Sequence, residues 1–596
     1  MQYIVKRLLI GILLVICVSF LVFSMLYLMP GDPVHLMAGE GASQERLDEI
    51  AKQYGLDKPL LEQYVNWLAG VLTKHNFGIS FKYKVPVWDL VKVRIPVSLR
   101  LTVVTAVIQY LIAVPMGLLC AYKKDTWFDR LVVGGTLIMT SIPSFWIAVL
   151  LMLLFAVKLG WLPLSGFNSW KCYVLPIMAG VLGGLASTTR LTKSEALDAL
   201  NEKYVTTAYA KGLSERATRI RHVLRNSMII ICVQISQSIP WLISGYIILE
   251  KIFVIPGMGG LLINSIIYQD FNVVQCLIFI ISIMTVICNI LADVVLGLLD
   301  PRIRISTGGG DKYMNASPFR EFLRSCYKNL NFIVGFIMLL SVILTAVFAP
   351  RIAPYYFEGG NPDAKFTPPC SDYILGTDNM GRDLFSRIVY GTRITLKVAL
   401  IGGTIQLFLG VVVGLFCGFY GGVVDRFMLF FADLTWCVPG MVMALAVVTV
   451  IGSNLTNAII AIALVNWASM ARTVRAKTMS LKNMAFIETG VAFGESNLAL
   501  MFRYILPNIV PALIVMVSMS LPGTIMSTTT LSFLGVGSQP PSPDWGLMVS
   551  DGIKFITKAP WLAIYPGLAL VYTVLSFTIL GEGLRDLLDP RMKSLG

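Results

Sequence analysis

RLTKSEALDALNEKYVTTAYAKGLSERATRIRHVLRNSMIIICVQISQSIP, residues 190–240, returns without a gap 282 residues later as RTVRAKTMSLKNMAFIETGVAFGESNLALMFRYILPNIVPALIVMVSMSLP, residues 472–522. Fourteen of the 51 aligned positions are identical, among them Arg190/Arg472, Asn201/Asn483, Gly212/Gly494, Ser214/Ser496, Arg221/Arg503, Asn226/Asn508 and Pro240/Pro522. Both halves also close alike, with Leu298-Leu-Asp-Pro-Arg302 and Leu587-Leu-Asp-Pro-Arg591. Self-similarity at one fixed offset is the mark of a duplicated structural unit, and it sets the architecture before any single motif does.

The composition says what kind of unit is duplicated. Of 596 residues 56% are hydrophobic and only 14% charged, with a mean hydropathy of +0.74. Soluble chains carry roughly 25% charged residues, so a soluble enzyme is excluded. The apolar residues fall in uncharged blocks long enough to cross about 30 Å of hydrocarbon as helices. In the first half these are Leu8–Met29, Leu101–Tyr122, Leu131–Val157, Cys172–Thr189, Asn226–Leu249 and Phe271–Ala292. In the second they are Asn329–Pro350, Val398–Val424, Phe427–Ile451, Asn457–Ala471, Tyr504–Thr530 and Trp561–Gly581. Leu8–Met29 is longer than the core of a signal peptide and reads as a first span. An even number of spans per half makes the repeats parallel rather than inverted. The expected fold is an all-α polytopic membrane protein, twelve transmembrane helices in two parallel six-helix repeats.

Charge gives the orientation. With the N-terminus inside, the inside segments hold 28 Lys and Arg against 17 Asp and Glu, and the outside segments 20 against 17. Lys and Arg accumulate in cytoplasmic loops, so both termini are expected inside, in a bacterial or archaeal cytoplasmic membrane. The net charge of +14 follows from that rule and needs no nucleic-acid partner. The spans are almost free of ionisable groups; Asp433 is the exception, with Asp293 and Glu582 near span ends. Proton- or sodium-coupled carriers hold sets of buried carboxylates. This chain has one, which reads as a bond to neighbouring helices.

Residues 303–319 form the join: Ile303–Pro318, with Gly308–Gly310, has the composition of a flexible inside linker. It separates a unit 1–302 from a unit 320–596. No GxxxxGK[ST] sequence occurs, so the chain is expected to hydrolyse no nucleotide itself. The ten cysteines form no CxxC pair and the three histidines (His35, His75, His222) are scattered. No metal site or cofactor is indicated.

Two features look functional. The inside loop between the fourth and fifth blocks reads Tyr204-Val-Thr-Thr-Ala-Tyr-Ala-Lys-Gly212 in one half and Phe486-Ile-Glu-Thr-Gly-Val-Ala-Phe-Gly494 in the other. A small residue, Ala208 or Gly490, stands four before each glycine. An aromatic side chain beside a small shoulder suits a helix docking into a partner's groove; an amphipathic helix lying against the membrane or the bundle has the same pattern. Second, Ser236, Ser238 and Pro240 recur as Ser518, Ser520 and Pro522. Polar pairs before a proline kink fit a permeation path, or bonds between helices. Outside, residues 31–100 form the longest polar stretch, with a helix expected at Gln44–Tyr54, and Asp378 with Arg382-Asp383 reads as a salt-bridged turn.

The loop pattern resembles the EAA loop of ABC importer permeases. Pro30-Gly-Asp-Pro33 and the run from Tyr204 to Asn226 resemble the B-type permease of dipeptide, oligopeptide and nickel importers. Leu375-Gly-Thr-Asp-Asn-Met-Gly-Arg-Asp383, Tyr390-Gly-Thr-Arg393, Phe502-Arg-Tyr-Ile-Leu-Pro-Asn508 and Leu531-Ser-Phe-Leu-Gly-Val-Gly537 resemble the C-type. The likeness covers nearly the whole chain. Glu488 keeps the family's initial Glu; Thr206 replaces it in the first half, and Gly490 stands where Ala is usual. The resemblance implies a type I ABC importer permease with both halves fused. It implies coupling loops at Tyr204, Ala208, Gly212, Phe486, Glu488, Gly490 and Gly494, two ATPase subunits that bind ATP and Mg²⁺, and an extracytoplasmic binding protein. A secondary carrier with parallel repeats is the main alternative; it would need coupling acids in mid-span. The solute stays open among peptides, opines and nickel chelates.

Overall fold

The computed structural model describes residues 2–27, 34, 41–299 and 329–588, without the side chains of 2–8, 26, 54, 229–230, 233, 236–245 and 292–299. The linker 303–319 and Pro30–Pro33 lie outside these residues. The first half comprises α1 (Gln2–Tyr27), α2 (Gln44–Tyr54), α3 (Leu60–Lys74), α4 (Ile95–Tyr122), α5 (Trp127–Thr140), α6 (Ser144–Leu151), α7 (Lys171–Leu200), α8 (Lys203–Ala210), α9 (Arg225–Ile252), α10 (Met258–Ile267) and α11 (Phe271–Leu299). The second comprises α12 (Leu330–Val347), α13 (Leu384–Tyr420), α14 (Gly422–Trp436), α15 (Gly440–Ile451), α16 (Leu455–Lys482), α17 (Ala485–Ala492), α18 (Leu506–Leu534), α19 (Trp545–Ile553) and α20 (Trp561–Leu588).

Among the described residues eight helices are long and apolar enough to cross a membrane, ten if two bent pairs are counted. Helices α1 and α9 cover the other two expected blocks. The blocks Leu131–Val157 and Phe427–Ile451 are not the straight spans expected. Helices α5 and α6 meet at 102°, and α14 and α15 at 91°. Pro143 and Pro439 are the N-caps of α6 and α15, in extended backbone with ψ of 141° and 132°. Proline has no N–H for the preceding turn and drives the residue before it out of the helical region, so each apolar block breaks there.

The contacts divide the chain into two units. Unit 1 is 1–136, 154–303 and 436–452; unit 2 is 137–153, 304–435 and 453–596. Each unit therefore includes one short helix from the other half of the sequence, α15 in unit 1 and α6 in unit 2. Within unit 2, Phe145 of α6 stacks on Phe533 at 4.6 Å, and the Trp146 indole N–H donates to the Ala563 carbonyl at 3.1 Å.

Inside each unit the closest helix pair rests on a ladder of small residues. Ala113, Gly117 and Ala121 on α4 face α7; Gly410, Gly414 and Gly418 on α13 face α16, and all six are buried. A Cβ on Gly117 would lie 2.6 Å from the Thr189 carbonyl oxygen. One on Gly414 would lie 2.7 Å from the Ala471 carbonyl, and one on Gly418 2.7 Å from that of Arg475. Where lipid tails are as apolar as the side chains, such backbone approach is what holds helices together.

Buried carboxylates cap the short helices that come after α9 and α18. Glu250 accepts from the Gly259 and Gly260 N–H groups of α10 at 2.7 and 3.2 Å, with Ser98 on its other oxygen. Asp544 accepts from Gly546 and Leu547 of α19 at 2.8 and 3.1 Å, held by Ser532 and Ser538. Ser532 occupies the repeat position of Glu250. The segment Gln44–Tyr54 is helical as expected, capped by the Ser43 hydroxyl and ended by Gly55. Asp378 and Arg382 pair at 2.7 Å, the expected salt-bridged turn.

Overpacking a close contact costs about 1–3 kcal/mol. Gly414→Leu is therefore expected to lower the detergent melting temperature by several degrees. Gly523→Leu, on α18 where a Cβ meets nothing within 4 Å, should leave it unchanged; equal shifts would show that the ladder is not a tight spot.

Candidate functional site

The two repeated loops fold alike down to single hydrogen bonds. Helix α7 ends at Leu200 and α8 starts at Lys203; α16 ends at Lys482 and α17 starts at Ala485. Each short helix is eight residues long and ends in a glycine with φ of +78°, Gly212 or Gly494. The Gly212 N–H donates to Tyr209 at 2.9 Å and the Leu213 N–H to Ala208 at 3.2 Å. Gly494 and Glu495 donate to Val491 and Gly490 at 3.0 and 3.1 Å. That double bond pattern around a left-handed residue is the Schellman stop, in which a Cβ is penalised. Ser214 and Ser496 then cap the next turn by accepting from Ala217 and Ala499, both at 3.3 Å. A π-helical turn comes next in both, Arg219–Leu224 and Leu500–Ile505, before α9 and α18 begin.

The inner face of each helix is set three residues apart. Val205 and Ala208 are buried in α8, Ile487 and Gly490 in α17. Val205 packs with Ala121, Ala196, Ala199 and Val223; Ile487 packs in a cluster with Leu481, Leu500, Met501 and Ile505. A Cβ on Gly490 would sit 2.7 Å from Leu500. This corrects the expected docking shoulder: Ala208 and Gly490 are small because they face their own bundle, not a partner. Phe486 likewise packs partly onto the Ile487 cluster.

The outward face carries other residues. Tyr204, Thr206, Tyr209 and Lys211 are exposed on the first loop; Glu488, Val491 and Phe493 on the second. Phe493 is 83% exposed, an unusual state for a phenylalanine facing water. Tyr209, Val491 and Phe493 escaped the sequence reading; the signal was a large apolar residue one to three before a helix-ending glycine. Partial burial raises the Tyr204 phenol above its ordinary pKa, opposed by its bond to the Asn226 side chain. Residues 201–226 hold six Lys and Arg against two Glu, and 483–508 one against two. One loop is basic with tyrosines; its repeat is apolar and slightly acidic.

Among the candidate path residues, the Ser518 hydroxyl donates to Ile514 at 2.8 Å and that of Ser520 to Val517 at 2.9 Å. Both return to their own helix, and Pro522 lies inside α18. The backbone at Ser236, Ser238 and Pro240 is helical within α9; their side chains lie outside the described residues. Asp433 pairs with Arg472, the helix-to-helix bond expected of it. Among the described residues no three His, Cys, Asp or Glu side chains gather as a metal site.

The family model described as "Binding-protein-dependent transport system inner membrane component" matches twice, over residues 113–305 and 410–594. A companion N-terminal model of that transport system matches 1–102, and the N-terminal domain of oligopeptide transport permease C matches 317–369. The dipeptide transport system permease protein DppC of Alkalihalophilus pseudofirmus is 40% identical over 284 residues, 48% of this chain and 93% of that protein. The glutathione transport system permease protein GsiD of Pectobacterium atrosepticum is 38% identical over 282 residues, 47% and 93%. DppC of Haemophilus influenzae is 37% identical over 292 residues, 46% and 96%. Each relative thus corresponds to about half of this chain.

Nothing lies within 4 Å of a Cβ built at Gly212 or Gly494, so substitution there acts through backbone strain alone. Gly212→Ala and Gly494→Ala are expected to cost about 1 kcal/mol locally, seen as roughly fivefold faster amide exchange in α8 and α17. Unchanged exchange would mean the left-handed stop is dispensable.

Proposed function

Because the chain belongs to the binding-protein-dependent transport system inner membrane component family, we propose that it is the fused permease of an ABC importer for peptides or a related small solute. It is a multi-pass membrane transport component rather than an enzyme. One half takes the place of a B-type and the other of a C-type permease, and fusion fixes their ratio and raises their effective concentration. A binding protein delivers solute from outside. Two ATPase subunits, carrying ATP and Mg²⁺, grip the loops that end at Gly212 and Gly494. Nucleotide-driven closure of those subunits shifts the population between inward- and outward-facing states.

One observation carries this reading: two helices in equivalent places, locked inward and stopped identically, present exposed aromatic or aliphatic side chains where a globular surface would be polar. The contrast between the basic loop and its apolar, acidic repeat suits two ATPase surfaces of different charge. The names of the relatives support a peptide-like solute, with dipeptides and glutathione as the first to try.

Central aromatic anchors in packed interfaces are worth about 2 kcal/mol or more. Tyr209→Asp and Phe493→Asp are therefore expected to leave membrane levels unchanged, strip co-purifying ATPases, and cut uptake of labelled dipeptide or glutathione at least tenfold. Normal association and uptake in both would remove these loops as the ATPase contact. Orientation has its own check: an impermeant thiol reagent on intact cells should label a cysteine at Gln44 and spare one at Asn201. The reverse pattern would invert the topology.

A further inference from the structure

An ion pair recurs in both units at the foot of the bent helix. In unit 1 the Lys193 ammonium of α7 meets the Asp129 carboxylate of α5 at 2.6 Å, with the Asp129 side chain 5% exposed. In unit 2 Arg475 of α16 binds Asp425 of α14 through two nitrogens, one at 2.6 Å. The spacings match. Each aspartate lies in the first turn of its helix, 14 residues before the bend proline, Pro143 or Pro439. Each cation lies ten residues before its docking helix and 19 before Gly212 or Gly494. A carboxylate at a helix N-terminus is favoured already by the backbone dipole. The basic partner adds a fixed link to one other helix, the one that carries the loop.

Beyond the bend, the same helix leads into the segment that completes the other unit: residues 137–153 count in unit 2, and 436–452 in unit 1. The pair thus stands between a docking loop and an arm whose tip is held elsewhere, as by Phe145 and Trp146.

We propose that Asp129–Lys193 and Asp425–Arg475 are positioning pairs that make each docking loop and the stem of its bent helix move as one body, carrying ATPase movement into the arms. This rests on the loops being the ATPase contact. The pair sits on rigid helices, is largely shielded from water, and in unit 2 is a planar two-point grip that resists rotation. Small-residue packing, with the Gln109–Thr188 and Lys482–Phe419 hydrogen bonds, holds α7 and α16 to α4 and α13; these pairs tie them to α5 and α14, in unit 2 alongside Arg472–Asp433.

The test is electron-electron distance measurement on the full chain assembled with its ATPases. Spin-labelled noncanonical residues replace Asn483 and Val423 in unit 2, or the equivalent Asn201 and Trp127 in unit 1, all exposed. In the unaltered pairs, ATP with vanadate should leave the loop-to-stem distance narrow and unchanged. Asp425→Asn or Asp129→Asn should at least double its spread in the trapped state, with ATPases still bound. The exchange Asp425→Arg with Arg475→Asp should restore the narrow distribution, and Arg475→Lys should come close. Single variants whose trapped distance stays narrow would overturn the proposal, including variants that lose only melting temperature. Failure of the unaltered chain to bind ATPases would instead remove the docking reading, and the levers with it.

Discussion

Everything in this molecule hangs on how closely two pairs of helices approach. The small-residue ladders at 113/117/121 and 410/414/418 bring α4 onto α7 and α13 onto α16 until backbone carbonyls lie where a methyl group would be. In lipid there is no solvent to expel between helices, so contact distance replaces hydrophobic burial as the source of cohesion. Helices α7 and α16 are also the ones that run on into the repeated loops. A force applied at Gly212 or Gly494 would therefore enter the bundle along its most closely packed helices.

The loops continue that logic at smaller scale. Val205 and Ile487 anchor the short helices, Ala208 and Gly490 let them lie flat, and the left-handed glycines end them sharply. The outward faces are then free to differ. One is basic and tyrosine-bearing; its counterpart exposes Val491 and Phe493. Identical backbones with unlike surfaces are what a duplicated transporter needs if its two drivers are not the same protein.

Much of this could be read from residues alone, and the parts that could not share a cause. The 282-residue offset exposed the loops because identity there is dense and ungapped. The ladders escaped because α4 and α13 align at an offset of 297, and the paired aspartates at 296, so one sliding comparison blurs them. The bends escaped because hydropathy ran unbroken through Pro143 and Pro439, although each proline was itself the signal. Ala208 and Gly490 were rightly noticed and wrongly faced: periodicity places small residues on a stripe but does not say which neighbour the stripe meets. Phe493 was visible in the aligned loop, yet only burial distinguishes an exposed phenylalanine from a packed one.

The two carboxylate caps hold a further lesson about how the halves have diverged. At the repeat position where one half has Glu250, the other has Ser532, and the negative charge has moved twelve residues along the chain to Asp544. Both solutions deliver a carboxylate to the N-terminus of the next short helix, and both surround it with hydroxyls. The chemistry stayed the same while its address changed. A chimera that exchanged α9 for α18, but left α10 and α19 with their preceding turns in place, would give one half two acids at a single helix end and its sibling none. Duplicated segments that look alike in outline have in this way become non-interchangeable parts, each fitted to its own unit.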